Sequence, residues 1–179
     1  MQAAHAFIDS ADASPAALPD NYSDSLDIVG DLPHARHLDR AALLEMARTD
    51  VGPATIECYS GRHIRDVGQQ RGVLLTELLD IAGMKGLPRA QCKQLVIAVH
   101  AADGYVCLFT WHELYNSPIG QGAMLVVEQD GEVLPASAGG LQLLSLGDLR
   151  LGPRRAVAVR RIEVRRWASA APASPAASR

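Results

Sequence analysis

An α+β domain with a mixed or antiparallel sheet and short helices is the fold class this sequence predicts, and three features of Gly72–Glu113 carry that prediction. Leu74, Leu75, Leu78, Leu79 and Ala82 fall on one stripe at helical spacing, and Gly83 is placed to end that helix in a left-handed conformation. Leu95–His100 (LVIAVH) is an apolar run too short for a typical helix and reads as a buried strand. Asp103-Gly104 is hairpin-turn chemistry, because Gly tolerates positive φ, and Tyr105–Thr110 returns as the partner strand. Thr110-Trp111-His112-Glu113, at the end of the stretch, has the S/T-x-x-E form of a capping box, so a short helix starts at Trp111.

In chain order, residues 1–23 mix Ala, Ser, Asp and Pro without a sustained period and read as a tail. Ser25–Val29 alternates as a first strand, turned by Gly30-Asp31. Asp39 is a helix N-cap, with Leu38 and Leu43 at the positions of a hydrophobic staple, and that helix runs to about Arg48. Gly52-Pro53 breaks the chain before a short strand, Ala54–Cys58, and Ser60–Arg71 is a link to the central helix. After that helix-and-hairpin unit, Asn116–Gly122 is a loop and Met124–Glu128 a strand. Asp130-Gly131 is a second hairpin turn, leading into Glu132–Pro135. Gly139-Gly140 reads as a turn, since no Gly-rich phosphate fingerprint surrounds it. From Ala168 the chain is low-complexity. The predicted organisation is one domain, 24–167, between tails 1–23 and 168–179.

Composition narrows the function. The chain has 179 residues, 48% of them apolar but only 4% aromatic, so aliphatic side chains build the core. Net charge is −3 and unevenly spread: Met1–Glu57 has ten acids and three bases, Arg150–Arg179 eight Arg and one Glu. Net negative charge and the lack of a stacking-aromatic motif beside the arginines argue against a nucleic-acid partner. Three cysteines, Cys58, Cys92 and Cys107, are too few and too far apart for a disulfide framework or a Cys-x-x-Cys zinc site. No apolar run is long enough for a membrane span, and no secretory signal is visible. The expected compartment is the cytoplasm, or the periplasm if a leader has been removed.

The order G-V-x-L-x-x-L-L-x-x-A-G at Gly72–Gly83, an apolar strand, then Ala102-Asp103-Gly104-Tyr105 resembles the molybdopterin-binding domain of the sulfite oxidase family. Two further segments extend the resemblance over about Leu26–Val164. Thr55-Ile56-Glu57-Cys58-Tyr59-Ser60-Gly61-Arg62 is similar to the family's T-L-x-C-A-G-N-x-R, and Gly152–Val164 to its G-x-K-x-V-K-W-L-x-R-I-E-V, ending in Arg161-Ile162-Glu163-Val164. Cys58 falls on the family's molybdenum-ligating cysteine. The family's H-G-x-P-L-R is replaced by Ala138–Leu143, and its V-K-W is not kept at Val157-Ala158. The resemblance implies a sulfite oxidase-like α+β fold. It also implies a molybdopterin-dependent oxidoreductase transferring an oxygen atom or electrons at a Cys-ligated molybdenum. The alternative is a non-catalytic binding or accessory module that keeps the fold and has lost the cofactor.

Each candidate residue carries a plain structural reading as well. Cys58 is either a soft thiolate for a pterin-held molybdenum or a small apolar side chain at a strand end. Ser60, Gly61 and Arg62 follow it in the cofactor-binding segment that the resemblance implies, and Arg62 is otherwise a solvated loop residue. Arg154 and Arg155 are either an anion site for the cofactor's phosphate or charges at the end of a strand that resist edge pairing. His63 and Arg65 are solvated. Cys92 and Cys107 are structural. The sequence identifies no substrate, catalytic acid or base, electron acceptor or partner protein.

Overall fold

The structure, a computed structural model, describes residues 20–167; residues 1–19 and 168–179, which make up most of the two expected tails, lie outside it. The architecture is α+β, with two main sheets and short helices.

The first sheet is built from β1 (Ser25–Gly30), β2 (Arg36–Asp39), β7 (Leu95–Ala101), β8 (Val106–Thr110) and β13 (Val159–Arg166). Its order is β2-β1-β13-β7-β8, and only β1 and β13 run parallel. The second contains β3 (Thr49–Val51), β6 (Gln70–Leu74), β9 (Ala123–Gln129), β11 (Gln142–Ser145) and β12 (Ala156–Val157), in the order β12-β11-β9-β6-β3. A short β10 (Glu132–Val133) pairs with β9. A separate hairpin joins β4 (Ala54–Glu57) to β5 (His63–Val67). The helices are α1 (Arg40–Met46), α2 (Leu75–Ile81), α3 (Arg89–Cys92) and α4 (Trp111–Tyr115).

The main core lies between the two sheets. Leu26, Ile28, Ile97, Phe109 and Ile162 from one meet Val73, Leu125 and Leu143 from the other, with Leu43, Leu78 and Leu79 of the helices among them. A second cluster on the far face of the second sheet packs Met124, Val126, Leu134 and Leu144 against Ile56 and Val67 of the β4–β5 hairpin. This explains why Ala123–Val127 is continuously apolar and continuously buried: alternate side chains of β9 enter different clusters.

Several local expectations hold in detail. The Asp39 side chain accepts from Ala42 N–H at 2.8 Å, so the helix that begins there is capped as its sequence requires. Gly83 and Gly104 have φ of 97° and 88°. At Thr110 both halves of the capping box form: Glu113 N–H donates to the threonine hydroxyl and Thr110 N–H to the Glu113 carboxylate.

Other expectations are corrected. The central helix starts at Leu75; Leu74, the first residue of the expected stripe, belongs with Gly72 and Val73 to strand β6. Sheet packing overrides the helical stripe there. A Cβ on Gly72 would sit 2.1 Å from the Leu125 carbonyl oxygen, so glycine lets β6 close against β9. Ser60–Arg71 is not a plain link but contains β5, and Arg36–Asp39 is a strand that its mostly polar sequence hides. Tyr22 and Ser23 are docked on the domain: Ser23 N–H donates to Gly139 C=O at 3.0 Å, and Arg40 donates to the Tyr22 hydroxyl.

Candidate functional site

The β4–β5 hairpin turns through Cys58–Arg62. Cys58 N–H donates to Arg62 C=O and Gly61 N–H to Cys58 C=O, at 3.0 and 2.9 Å. This closure requires φ of 79° at Gly61, a conformation costly for any residue with a Cβ. Cys58 is thus the first residue past the strand, with its side chain partly exposed.

Its sulfur lies 3.0 Å from the Ser60 hydroxyl oxygen. The Ser60 hydroxyl is the main influence bringing the Cys58 pKa down to about 7, assisted by the Ser60 and Arg62 backbone and the Arg62 side chain, while desolvation opposes it. A large fraction of Cys58 is therefore thiolate at neutral pH, the form that attacks electrophiles and ligates soft metals.

Beside this turn lies the loop between β11 and β12. Gly152 N–H donates to Glu57 C=O at 2.9 Å, and Arg150 pairs with the Glu57 carboxylate. The Arg150 guanidinium packs against Gly61, with its nearest nitrogen 3.3 Å from where a Cβ would be. The turn and loop border an open cleft of about 770 Å³ lined by Tyr59, Asp148, Leu149, Arg150, Pro153 and Arg154. That volume falls within the ordinary range for small-molecule sites. Tyr59 and Leu149 are almost fully exposed.

Arg154 is fixed on three sides. It pairs with both Asp148 carboxylate oxygens and, at 2.9 Å, with Glu113. Its guanidinium carbon lies 4.5 Å from the centre of the Phe109 ring. Its hydrogen bonds to the Asp148 carboxylate raise its pKa further, against the effect of partial burial. Glu113 therefore does two jobs, capping α4 and holding Arg154. The Tyr105 hydroxyl also reaches this loop, donating to Pro153 C=O.

The structure divides the residues singled out from sequence. Cys58, Ser60, Gly61 and Arg62 form one turn, and Arg154 lines the adjoining cleft, which Tyr59 of that turn also lines. Arg155 points elsewhere, donating to Gln142 Oε1 at 2.6 Å; burial lowers its pKa, with a smaller contribution from Arg65. His63 is occupied by Asp66 at 3.2 Å. Cys92 and Cys107 are buried. Tyr59, Asp148, Leu149, Arg150 and Pro153 were not anticipated. The only hint of their role is that Gly147–Arg155 is rich in Gly, Pro and charge, as loops at sites often are.

Among the described residues, no three His, Cys, Asp or Glu side chains converge to hold a metal. The donor set here is one thiolate beside a cleft. It fits a metal that brings its own ligands, as a pterin dithiolene does, rather than one caged by protein. The cationic half fits less closely, since Arg150 and Arg154 are already paired with carboxylates.

No family model matches the chain, and no curated protein matches it. Among solved structures it is similar to the crystal structure of the sulfane dehydrogenase SoxCD from Paracoccus pantotrophus, with a TM-score of 0.62 and 21% identity. The match covers 83% of this chain and 39% of that one, so this chain spans less than half the neighbour's length. The likeness establishes a related fold. No helix among the described residues is long and apolar enough to cross a membrane.

Proposed function

We propose that the domain is the cofactor-binding part of a molybdopterin-dependent oxidoreductase, with Cys58 as the protein ligand to molybdenum. The observation that carries this reading is the Cys58 thiol: accessible, lowered to about 7 and next to a cleft of about 770 Å³. The resemblance of Thr55–Arg62 and Gly152–Val164 to the sulfite oxidase family supports it, as does a structural neighbour that is itself a dehydrogenase.

The bound cofactor would supply redox chemistry at molybdenum, and the chain would supply the surround. Cys58 Sγ would ligate the metal, with the Ser60 hydroxyl holding the thiolate. Arg62, exposed on the same turn, and Arg150, whose Glu57 pair is open to solvent, would meet the cofactor's phosphate. Arg154 would set the shape and charge of the cleft lining from its fixed position. Arg155 has no part in this cleft.

The second reading, a binding module that keeps the fold without the cofactor, is favoured by one observation: both arginines of the cleft are neutralised by Glu57, Asp148 and Glu113. Metal content separates the two. Protein purified from a host that makes the cofactor is expected to carry stoichiometric molybdenum, and Cys58→Ser is expected to lose it with its circular dichroism unchanged. Wild-type protein free of molybdenum under those conditions would leave the binding module.

A further inference from the structure

The two edges of the first sheet are built differently. At one edge, β2 presents Arg36, His37 and Asp39, charges of the kind that discourage strand addition. At the other, β8 is Val-Cys-Leu-Phe-Thr, without charge, Pro or Gly, and in unbroken register with β7. Among the described residues no other strand pairs with it.

The hydrogen-bond phase of the hairpin identifies what this edge offers. Ala101 N–H donates to Tyr105 C=O, so in an antiparallel ladder the next bonded pairs are Val99–Cys107 and Ile97–Phe109. The backbone groups of Val106 and Leu108 then point away from β7. Thr110 N–H, the next in that series, is already taken by Glu113 at 2.7 Å. Among the described residues, the free groups are therefore one N–H and one C=O on each of Val106 and Leu108.

That set is self-complementary. We propose that β8 is an interface for a second copy of this chain, paired antiparallel about a two-fold axis at Cys107. Val106 then faces Leu108 of the second copy in a bonded pair, and the axis repeats the pair. Every free N–H of the strand meets a free C=O, and the Thr110 cap is left intact. A register centred on Leu108 instead would require the Thr110 N–H and break that cap.

Charge and surface favour the same occupant. The strands that meet at the axis are uncharged, so no like charges oppose each other within the paired residues. On the outer face, Val96 and Ala98 of β7 continue into Val106 and Leu108, both among the exposed large apolar residues, as is the nearby Trp167. Pairing joins this strip to its copy and places it at the centre of a continuous sheet. The charged residues of this face, Arg161, Glu163 and Arg165, lie on β13, away from the axis, and His100 of β7, opposite Val106, turns to Glu163. The interface is independent of whether a cofactor binds at Cys58.

Because the shared edge is short, the dimer is expected to be weak, with a dissociation constant on the order of 10–100 µM. Sedimentation velocity from about 5 to 500 µM brackets that value. Wild type is expected to shift from monomer to dimer across the range, Leu108→Lys to remain monomeric, and Val133→Lys, at an exposed apolar site outside this sheet, to behave as wild type. Amide exchange supplies a readout that needs no variant: Val106 and Leu108 N–H should exchange freely when dilute and become protected when concentrated. A wild-type monomer at every concentration overturns the proposal. So does a dimer indifferent to Leu108→Lys in a folded variant, or one whose Val106 and Leu108 amides stay unprotected. If Leu108→Lys does not fold, wild-type amide exchange decides the matter alone.

Discussion

Cys58 and Cys107 are the same residue at a strand in the same molecule, yet their thiols are driven in opposite directions. Cys58 sits one residue past β4, where a turn supplies a hydroxyl and backbone donors, and its pKa falls to about 7. Cys107 sits within β8 facing the core, and its pKa rises to about 12, chiefly through burial and partly offset by Arg154. The contrast teaches that residue type and strand context do not set thiol chemistry here. What sets it is whether the thiolate meets donors and water or a desolvating wall.

The largest expected consequence is kinetic. Near neutral pH, iodoacetamide should modify Cys58 on the order of a thousandfold faster than Cys107, because only Cys58 is both ionised and reachable without local opening. Peptide-resolved mass spectrometry of a time course measures the ratio. Comparable labelling of the two sites in folded protein would break the comparison.

Stability should show the reverse ranking. Cys107→Ser places a hydroxyl in a site only 2% exposed and is expected to cost about 1–3 kcal/mol in urea unfolding. Cys58→Ser, at a solvated turn, should leave urea unfolding close to wild type at pH 7 or below. Equal losses would mean that Cys58 is a packing residue, and the proposed ligand role would lose its basis.

A smaller effect tests the cause of the Cys58 shift. Ser60→Ala removes the hydroxyl that contributes most to lowering the pKa, so the midpoint of the alkylation pH profile should move up from about 7 toward the ordinary thiol value. At pH 7 that corresponds to about a tenfold slower reaction. An unmoved midpoint would assign the shift to the turn's backbone donors instead.

Much of the fold was legible where local chemistry and packing agree. The Asp39 cap, the Thr110–Glu113 box and the Gly83 and Gly104 conformations are written in a few adjacent residues, and each forms. Leu74 heads a helical stripe in the sequence yet ends strand β6, because a helix and a strand both suit that residue and long-range closure on β9 decides between them. β2 was missed because an edge strand carrying Arg, His and Asp lacks the apolar alternation that announces a strand. For the candidate site, the turn from Cys58 to Arg62 could be singled out because it is contiguous. The rest of the cleft lining could not, since nothing in the sequence says that Asp148 and Glu113 both hold Arg154 while Arg155 turns to Gln142.

The pH dependence of stability is the finest test of the comparison, because the two thiols contribute with opposite sign in adjoining windows. Folding lowers the Cys58 pKa from an ordinary value near 9 to about 7. Between those values the unfolded chain binds a proton that the folded chain has released. Raising the pH therefore favours folding; this contribution is complete above about 9 and lost as pH falls through 7. Folding raises the Cys107 pKa from near 9 to about 12. There the folded chain keeps a proton that the unfolded chain loses, so its contribution is full below 9 and is lost as pH climbs toward 12. Urea unfolding of wild type, Cys58→Ala and Cys107→Ala from about pH 6 to 11 separates the windows. Relative to wild type, Cys58→Ala should lose the rise below pH 9, and Cys107→Ala should lose part of the fall above it. A Cys58→Ala curve parallel to wild type below pH 9 would show that the turn does not prefer the thiolate, and with that the chemical distinction between the two cysteines would fail.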